Sequence, residues 1–191
     1  MINQILISSS MLIKSNLNKI LLIILAFISL TACGIQVESA KNSYSYRIDD
    51  PNGIGKWYMG REIASVMGFE GMEWLERPER EAEENVSTLL KNMNIQADDI
   101  IADIGAGSGY HVFRMSPIAY KGIIYAVDIQ SEMLDEIQFR KDKSKIKNVE
   151  LVLGTESSSN LTENSVDKIL MVDVYHEFNY PNEMMQSIRK A

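Results

Sequence analysis

Apolar positions fall along this chain in three regimes. The first is a block, Ile20 to Leu30, eleven almost uninterrupted apolar residues. The second is periodic. From Lys56 to Met93 the spacing is helical, with Ile63, Val66 and Met67 on one face and Gly68 as a stop. A second helix is predicted from Arg77-Pro78 to Leu89-Leu90, with proline near its first turn and Glu83, Glu84, Ser87, Thr88 and Lys91 on its solvated face. Between these regimes, residues 34–52 are polar and carry the turn Asp50-Pro-Asn-Gly53, a tether.

The third regime alternates. Short apolar runs at Ile100–Ile104, Ile123–Val127, Val149–Leu153 and Val166–Val172 read as four strands. A glycine loop and helix follow the first, a helix from Ser131 to about Lys141 follows the second, and a helix from Pro181 to Lys190 follows the fourth. Strands alternating with helices imply crossover connections and a parallel sheet. In such sheets ligands bind at the carboxyl ends of the strands, so the residues just past each strand are the ones to read.

The first block has a different meaning. Eleven apolar residues are too few for the roughly 20 of a membrane-spanning helix. With Lys14 and Lys19 before them and small residues after, they describe a secretory signal peptide. Leu30-Thr-Ala-Cys33-Gly34 resembles the lipobox of bacterial lipoproteins, which implies lipidation of Cys33 and an exported, membrane-anchored protein at the outer membrane or periplasmic face. If the signal is not used, the protein is cytoplasmic. Cys33 is the sole cysteine, so the chain forms no internal disulfide. The expected division is a signal peptide (1–33), a tether (34–52), a helical cap (53–95) and a sheet domain (96–191).

Composition is that of a globular protein, 46% hydrophobic and 24% charged. Charge narrows the partners. Removing Lys14 and Lys19 with the signal peptide leaves 26 acidic against 17 basic residues, a net charge of −9. Such a chain is repelled by phosphate backbones, so nucleic acid is not the expected partner. No specific protein partner is evident, and no metal is expected.

The strand ends carry the candidate chemistry. After the first strand stands Gly105-Ala-Gly107-Ser-Gly109, where backbone can approach a ligand without a Cβ in the way. A dinucleotide fingerprint wants Gly or Ala where this chain has Tyr110. Asp103, two residues before the first glycine, is ill placed beside a pyrophosphate and suits a ligand carrying an ammonium and a sulfonium. Asp128 ends the second strand, where a carboxylate can accept ribose hydroxyls; helix N-terminal charge is its competing role. Ser131 reads as an N-cap. His111 reads as structural, and the scattered methionines as core filler.

Together, Asp103-x-Gly-x-Gly-x-Gly109, Asp128-Ile-Gln-Ser-Glu-Met133 and Val172-Asp-Val-Tyr-His-Glu-Phe178 resemble the class I S-adenosylmethionine-dependent methyltransferases. Tyr58-Met-Gly-Arg-Glu62 and Trp74-Leu-Glu-Arg-Pro78 are similar to a bacterial small-molecule-type branch. The resemblance implies an α/β, Rossmann-like parallel sheet behind an N-terminal helical segment, with S-adenosylmethionine as cofactor and a small-molecule acceptor. It implies that Asp103 holds the methionine end, directly or through water, beside Gly105, Gly107 and Gly109. Asp128 binds the ribose, Ile129 lies beside the adenine, and Glu156 falls near the adenine amino group. Ser157-Ser-Ser-Asn160 departs from the family's apolar sequel. Asp173 faces the transfer centre, and His176 and Tyr175 are the candidate bases, with Glu177 beside them.

The family's sheet has seven strands, and the pattern here supplies about four. An incomplete sheet is therefore expected, from a truncated gene or a fragment. Two other readings compete: a catalytically inactive, lipid-anchored remnant that keeps the cofactor site, and a nicotinamide oxidoreductase, which Asp103 and Tyr110 argue against.

Overall fold

A computed structural model describes residues 44–191. The expected signal peptide, its Cys33 and the first part of the tether lie outside the described residues.

Two sheets form. The smaller is antiparallel, β1 (Tyr44–Tyr46), β2 (Gly53–Tyr58) and β3 (Arg61–Ala64), in that order. This corrects both the tether, whose later residues form β1, and the helix expected through Ile63 and Val66. The cause is the turn. Met59 and Gly60 take φ of 50° and 82°, the positive values of a two-residue hairpin loop whose twist matches its strands. A bulge between Gly53 and Trp57 is stabilised by Glu62, whose carboxylate accepts the N–H groups of Asp50 and Gly55 at 3.0 and 2.9 Å.

The helical part of the N-terminal segment begins at a 3-10 turn, Phe69–Gly71, and continues as α1 (Met72–Leu75), α2 (Arg80–Glu84) and α3 (Val86–Asn92). The single helix expected over 77–90 is broken at Asn85, which adopts φ 52° between α2 and α3. Asparagine tolerates that left-handed conformation better than most residues.

The larger sheet is parallel throughout, with β4 (Ile100–Ile104), β5 (Ile123–Asp128), β6 (Val149–Leu153) and β7 (Lys168–Leu170) in the order β6-β5-β4-β7. The α/β reading of the sequence holds. Helices α4 (Val112–Met115), α5 (Ser131–Ser144) and α6 (Pro181–Lys190) flank it. Both faces are covered. Ile101, Ile124 and Ala126 pack with Val86, Leu90, Val112, Met115, Leu134 and Ile137 on one side; Ala102, Ile104 and Val127 pack with Phe178, Met184 and Ile188 on the other. Such two-sided burial is why these strands read as apolar runs rather than alternations.

β7 is shorter than the run Val166–Val172 that signalled it. The N–H groups of Ser165 and Val166 bond to the carbonyl of Ala191, and Asp173 turns left-handed at φ 53°. Both ends of the apolar run thus leave the ladder. Ser131 is the first residue of α5 rather than its cap; the Asp128 carboxylate instead accepts the Gln130 N–H at 2.9 Å.

Candidate functional site

The strand order changes direction about β4: β5 and β6 follow on one side, and β7 returns on the other. That is where open parallel sheets leave a crevice beyond their carboxyl ends. Here the crevice is a cavity of about 450 Å³. Its floor is Gly105, Ala106 and Gly107 after β4, Asp128 to Gln130 after β5, and Gly154 to Glu156 after β6. Asp173, Val174, His176 and Glu177 form the β7 side. The N-terminal segment closes over it with Ile54, Val66, Met67, Trp74 and Leu75.

The glycine loop is tight. Gly105 has φ 73°, and a Cβ there would lie 2.3 Å from Val174 Cγ2. The Gly105 and Ala106 N–H groups both donate to the Val127 carbonyl, at 2.8 and 3.0 Å, tying the loop to the neighbouring strand end. Asp128 completes the tie: its Oδ2 accepts the Gly107 N–H at 2.9 Å while Oδ1 accepts that of Gln130. One carboxylate thus organises the loop and the start of α5 and also lines the cavity. Burial raises its pKa, against those amide bonds.

Asp103 lies in the wall beneath. It is buried, it does not line the cavity itself, and its Oδ2 has no hydrogen-bond partner among the described residues. Burial, then the Asp128 carboxylate, push its carboxyl up to about 7, while Arg80 acts in the other direction. His111, expected to be structural, lines the cavity with Nε2 buried and without a partner among the described residues, and burial and Arg80 hold its pKa down at about 4. An orphaned buried atom costs stability unless something fills it, so both mark a site shaped for a polar ligand.

These shifts act on stability with opposite signs. Asp103, raised above its ordinary 3.8, contributes stability present below pH 3.8 and lost as pH rises through about 7. His111, lowered, contributes stability present above pH 6.5 and lost as pH falls through about 4. Comparing Asp103→Asn with the unsubstituted chain at each pH cancels the histidine. The variant's advantage in thermal midpoint should grow between pH 5 and pH 8; a pH-independent difference would show that Asp103 titrates normally.

On the β7 side, the His176 ring sits between two carboxylates, Nδ1 3.6 Å from Asp173 Oδ1 and Nε2 3.8 Å from Glu177 Oε1. Asp173 is largely exposed and lies three residues beyond β7 rather than at its end, and it lines the cavity. Tyr175 does not. Its ring packs edge-on against Phe178 and lies under the Arg61 guanidinium, away from the lining. Glu177 is half-buried, with its pKa raised by burial, and accepts the Met67 N–H at 3.2 Å. Gln130 bonds the same strap at both sides, donating to the Met67 carbonyl at 3.0 Å and accepting the Phe69 N–H at 2.9 Å.

Ile129 and Glu156 line the cavity, both exposed on it. The unusual Ser157–Asn160 run has a structural cause: Ser158 and Ser159 hydroxyls meet Ser187 Oγ of α6 at 3.2 and 3.0 Å, so polar contacts dock the helix that apolar residues would otherwise seat. Among the described residues no cluster of His, Cys, Asp and Glu is arranged to hold a metal, and no helix is long and apolar enough to cross a membrane. Sequence reasoning missed Arg80 and Gln130, whose places depend on how the N-terminal segment folds back.

Residues 95–191 match the family described as a methyltransferase domain. Among solved structures, the chain is similar to a SAM-dependent methyltransferase from Aquifex aeolicus, with 26% identity over 65% of this chain and 67% of that one and a TM-score of 0.62. It shares its fold with the YcgJ protein from Bacillus subtilis, at 22% identity over 56% of this chain and 45% of that one, TM-score 0.51. No curated protein matches the sequence.

Proposed function

This chain belongs to the methyltransferase-domain family, and from that premise we propose that it binds S-adenosylmethionine in the strand-end cavity and transfers its methyl group to a small-molecule acceptor. The observation that carries the reading is the joint placement of the glycine loop and Asp128, hydrogen-bonded to one another at the switch of the sheet. The residues present fit the group: Asp128 lines the cavity, at hand for two ribose hydroxyls, and Asp103, buried beneath the cavity, has an oxygen without a partner among the described residues.

When bound, the cofactor supplies an electrophilic methyl on a sulfonium, so the acceptor needs an available lone pair. The protein's share is position, exclusion of water and the fate of one proton. Asp128 accepts the ribose hydroxyls, and Ile129 and Glu156 flank the adenine. Gly105 and Gly107 give backbone-close contact to the methionine portion, and the Asp103 carboxylate acts on its ammonium from the wall beneath, not from the cavity surface. The strap Val66–Phe69, held by Gln130 and Glu177, shields the centre from solvent. His176, its ring held between the Asp173 and Glu177 carboxylates, takes the acceptor's proton where the acceptor carries one. The walls around it, Ile54, Val66, Met67, Phe178 and Met184, fit an acceptor with an apolar body.

Calorimetric titration of the chain with adenosylhomocysteine and with NAD tests the reading. Saturable binding of the first and none of the second is expected; the reverse preference would overturn it. The anchor read from Leu30-Thr-Ala-Cys33 belongs to the same proposal. Labelled fatty acid should be incorporated in a Gram-negative host and lost in Cys33→Ser, and equal labelling of both would remove it.

A further inference from the structure

We propose that Asn179, oriented by the buried Lys56, recognises a neutral oxygen (a carbonyl, ether or hydroxyl) on the methyl acceptor; this rests on the cofactor reading above. The methyl transfer itself makes no use of Lys56. It belongs to β2, does not line the cavity, and is 5% exposed. A buried ammonium is costly without compensation, so what surrounds it is informative.

The Tyr180 and Tyr44 rings stand against the ammonium, their centroids 3.4 and 4.4 Å from Nζ. Aromatic faces attract a cation. Tyr44 is fixed in turn. Its hydroxyl donates to Glu183 of α6 at 2.5 Å, and its ring meets those of Tyr58 and Tyr180. Burial lowers the Lys56 pKa, while Glu183 and Glu156 favour the charged form. Held in this way, Nζ donates to Asn179 Oδ1 at 3.1 Å.

That bond decides which way the amide faces. An ammonium has donors and no acceptor, so only the carbonyl oxygen of Asn179 can meet it. The NH2 group is the end left over. Asn179 lines the cavity, and its Nδ2 has no hydrogen-bond partner among the described residues. In the chain it directly follows Phe178 and comes three residues after His176, both of which line the same cavity. A fixed N–H beside apolar walls selects for an oxygen, because a ligand lacking one leaves the donor unpaired. Charge narrows the choice. The carboxylates of Glu156, Asp173 and Glu177 line the same cavity, so an anionic oxygen is repelled and a neutral one is not.

The test uses the full chain saturated with adenosylhomocysteine and three probes of one shape. Acetophenone carries a carbonyl, α-methylstyrene has CH2 in place of its oxygen, and benzoate has a charged oxygen in place of its methyl. Ligand-observed NMR titration should show acetophenone bound roughly three- to tenfold more tightly than either of the others. Asn179→Asp keeps an oxygen for Lys56 but has no N–H to give, and should erase the preference over α-methylstyrene. Lys56→Met keeps the bulk and frees the amide to turn, so the preference should fall; Lys56→Arg, again a donor without an acceptor, should retain it. A merely structural lysine would weaken all three probes together and leave their ratios alone. Adenosylhomocysteine binding reports that each variant is folded. An unsubstituted chain that binds the probes alike, prefers benzoate or binds none would overturn the proposal and leave the cofactor reading standing. An unchanged ratio in Asn179→Asp would overturn it too, and an unchanged ratio in Lys56→Met would remove Lys56 as the positioning residue. If Lys56→Met fails to fold, Asn179→Asp decides. No binding of adenosylhomocysteine by the unsubstituted chain would sink the cofactor reading, and the role of Asn179 with it.

Discussion

Gly105→Ala should lower the stability of the folded chain by about 2–5 kcal/mol, a large part of the 5–15 kcal/mol typical of a domain. Two costs add. At φ 73° the residue sits in the left-handed region, which costs an alanine on the order of 1–2 kcal/mol. The new methyl would also stand 2.3 Å from Val174 Cγ2 and 2.8 Å from its Cβ, and overpacking of this kind costs about 1–3 kcal/mol. Val174 is β-branched, so it cannot rotate freely out of the way. The two costs separate in a double variant. Adding Val174→Ala to Gly105→Ala should recover the steric part due to Cγ2 and leave the contact with the retained Cβ and the backbone part. Urea unfolding of the four chains measures both, and additive effects would show that the two residues do not meet. Gly105→Ala within about 0.5 kcal/mol of the unsubstituted chain would mean the loop can relax, and would remove it as a fixed cradle.

How much of this was legible in the sequence depended on the range of the determining contacts. β4, β5 and β6 were readable because two-sided burial writes itself as a short apolar run ended by glycine or aspartate. Asp128 was readable because its position, at the end of the second strand, is fixed by topology. The β2–β3 hairpin was not. Its turn is Met59-Gly60, without the asparagine or aspartate that signals such loops, and Ile63, Val66 and Met67 fit helical spacing by coincidence. The break at Asn85 was missed because one positive φ leaves no trace in periodicity. Tyr175 and His176 are adjacent, so proximity to Asp173 favoured both; the 3-10 turn Tyr175–Glu177 sends the histidine to the cavity and the tyrosine toward Arg61. Arg80 and His111 needed the fold itself. Arg80 is one of several charges on an acidic helix until α1 and α2 fold back over the glycine loop, and the orphaned nitrogen of His111 exists only in three dimensions.

Asp128→Ala should weaken adenosylhomocysteine binding roughly ten- to a hundredfold, the worth of about 1.5–3 kcal/mol for hydrogen bonds to a charged acceptor. The carboxylate has two tasks, and the substitution removes both. In the free protein it accepts the Gly107 and Gln130 N–H groups in a site only 7% exposed, so alanine leaves two amides without their acceptor and loosens the loop. In the complex it would accept the ribose hydroxyls as well, since each carboxylate oxygen has more than one lone pair. Asp128→Asn separates the tasks. Its amide oxygen can still accept one backbone N–H, so the loop should hold, but the charge is gone and only one strong acceptor remains. The asparagine variant should therefore approach the unsubstituted chain in thermal midpoint and the alanine variant in affinity. Acid should act in the same sense: because burial raises the Asp128 pKa, protonation reaches it before an ordinary carboxyl, and affinity should fall with pH in the unsubstituted chain while the part due to this residue stays flat in Asp128→Asn. Calorimetric titrations of the three chains across pH check each statement. Equal affinity in all three would place the nucleoside elsewhere in the cavity, and leave Asp128 as the clasp between β5, α5 and the glycine loop.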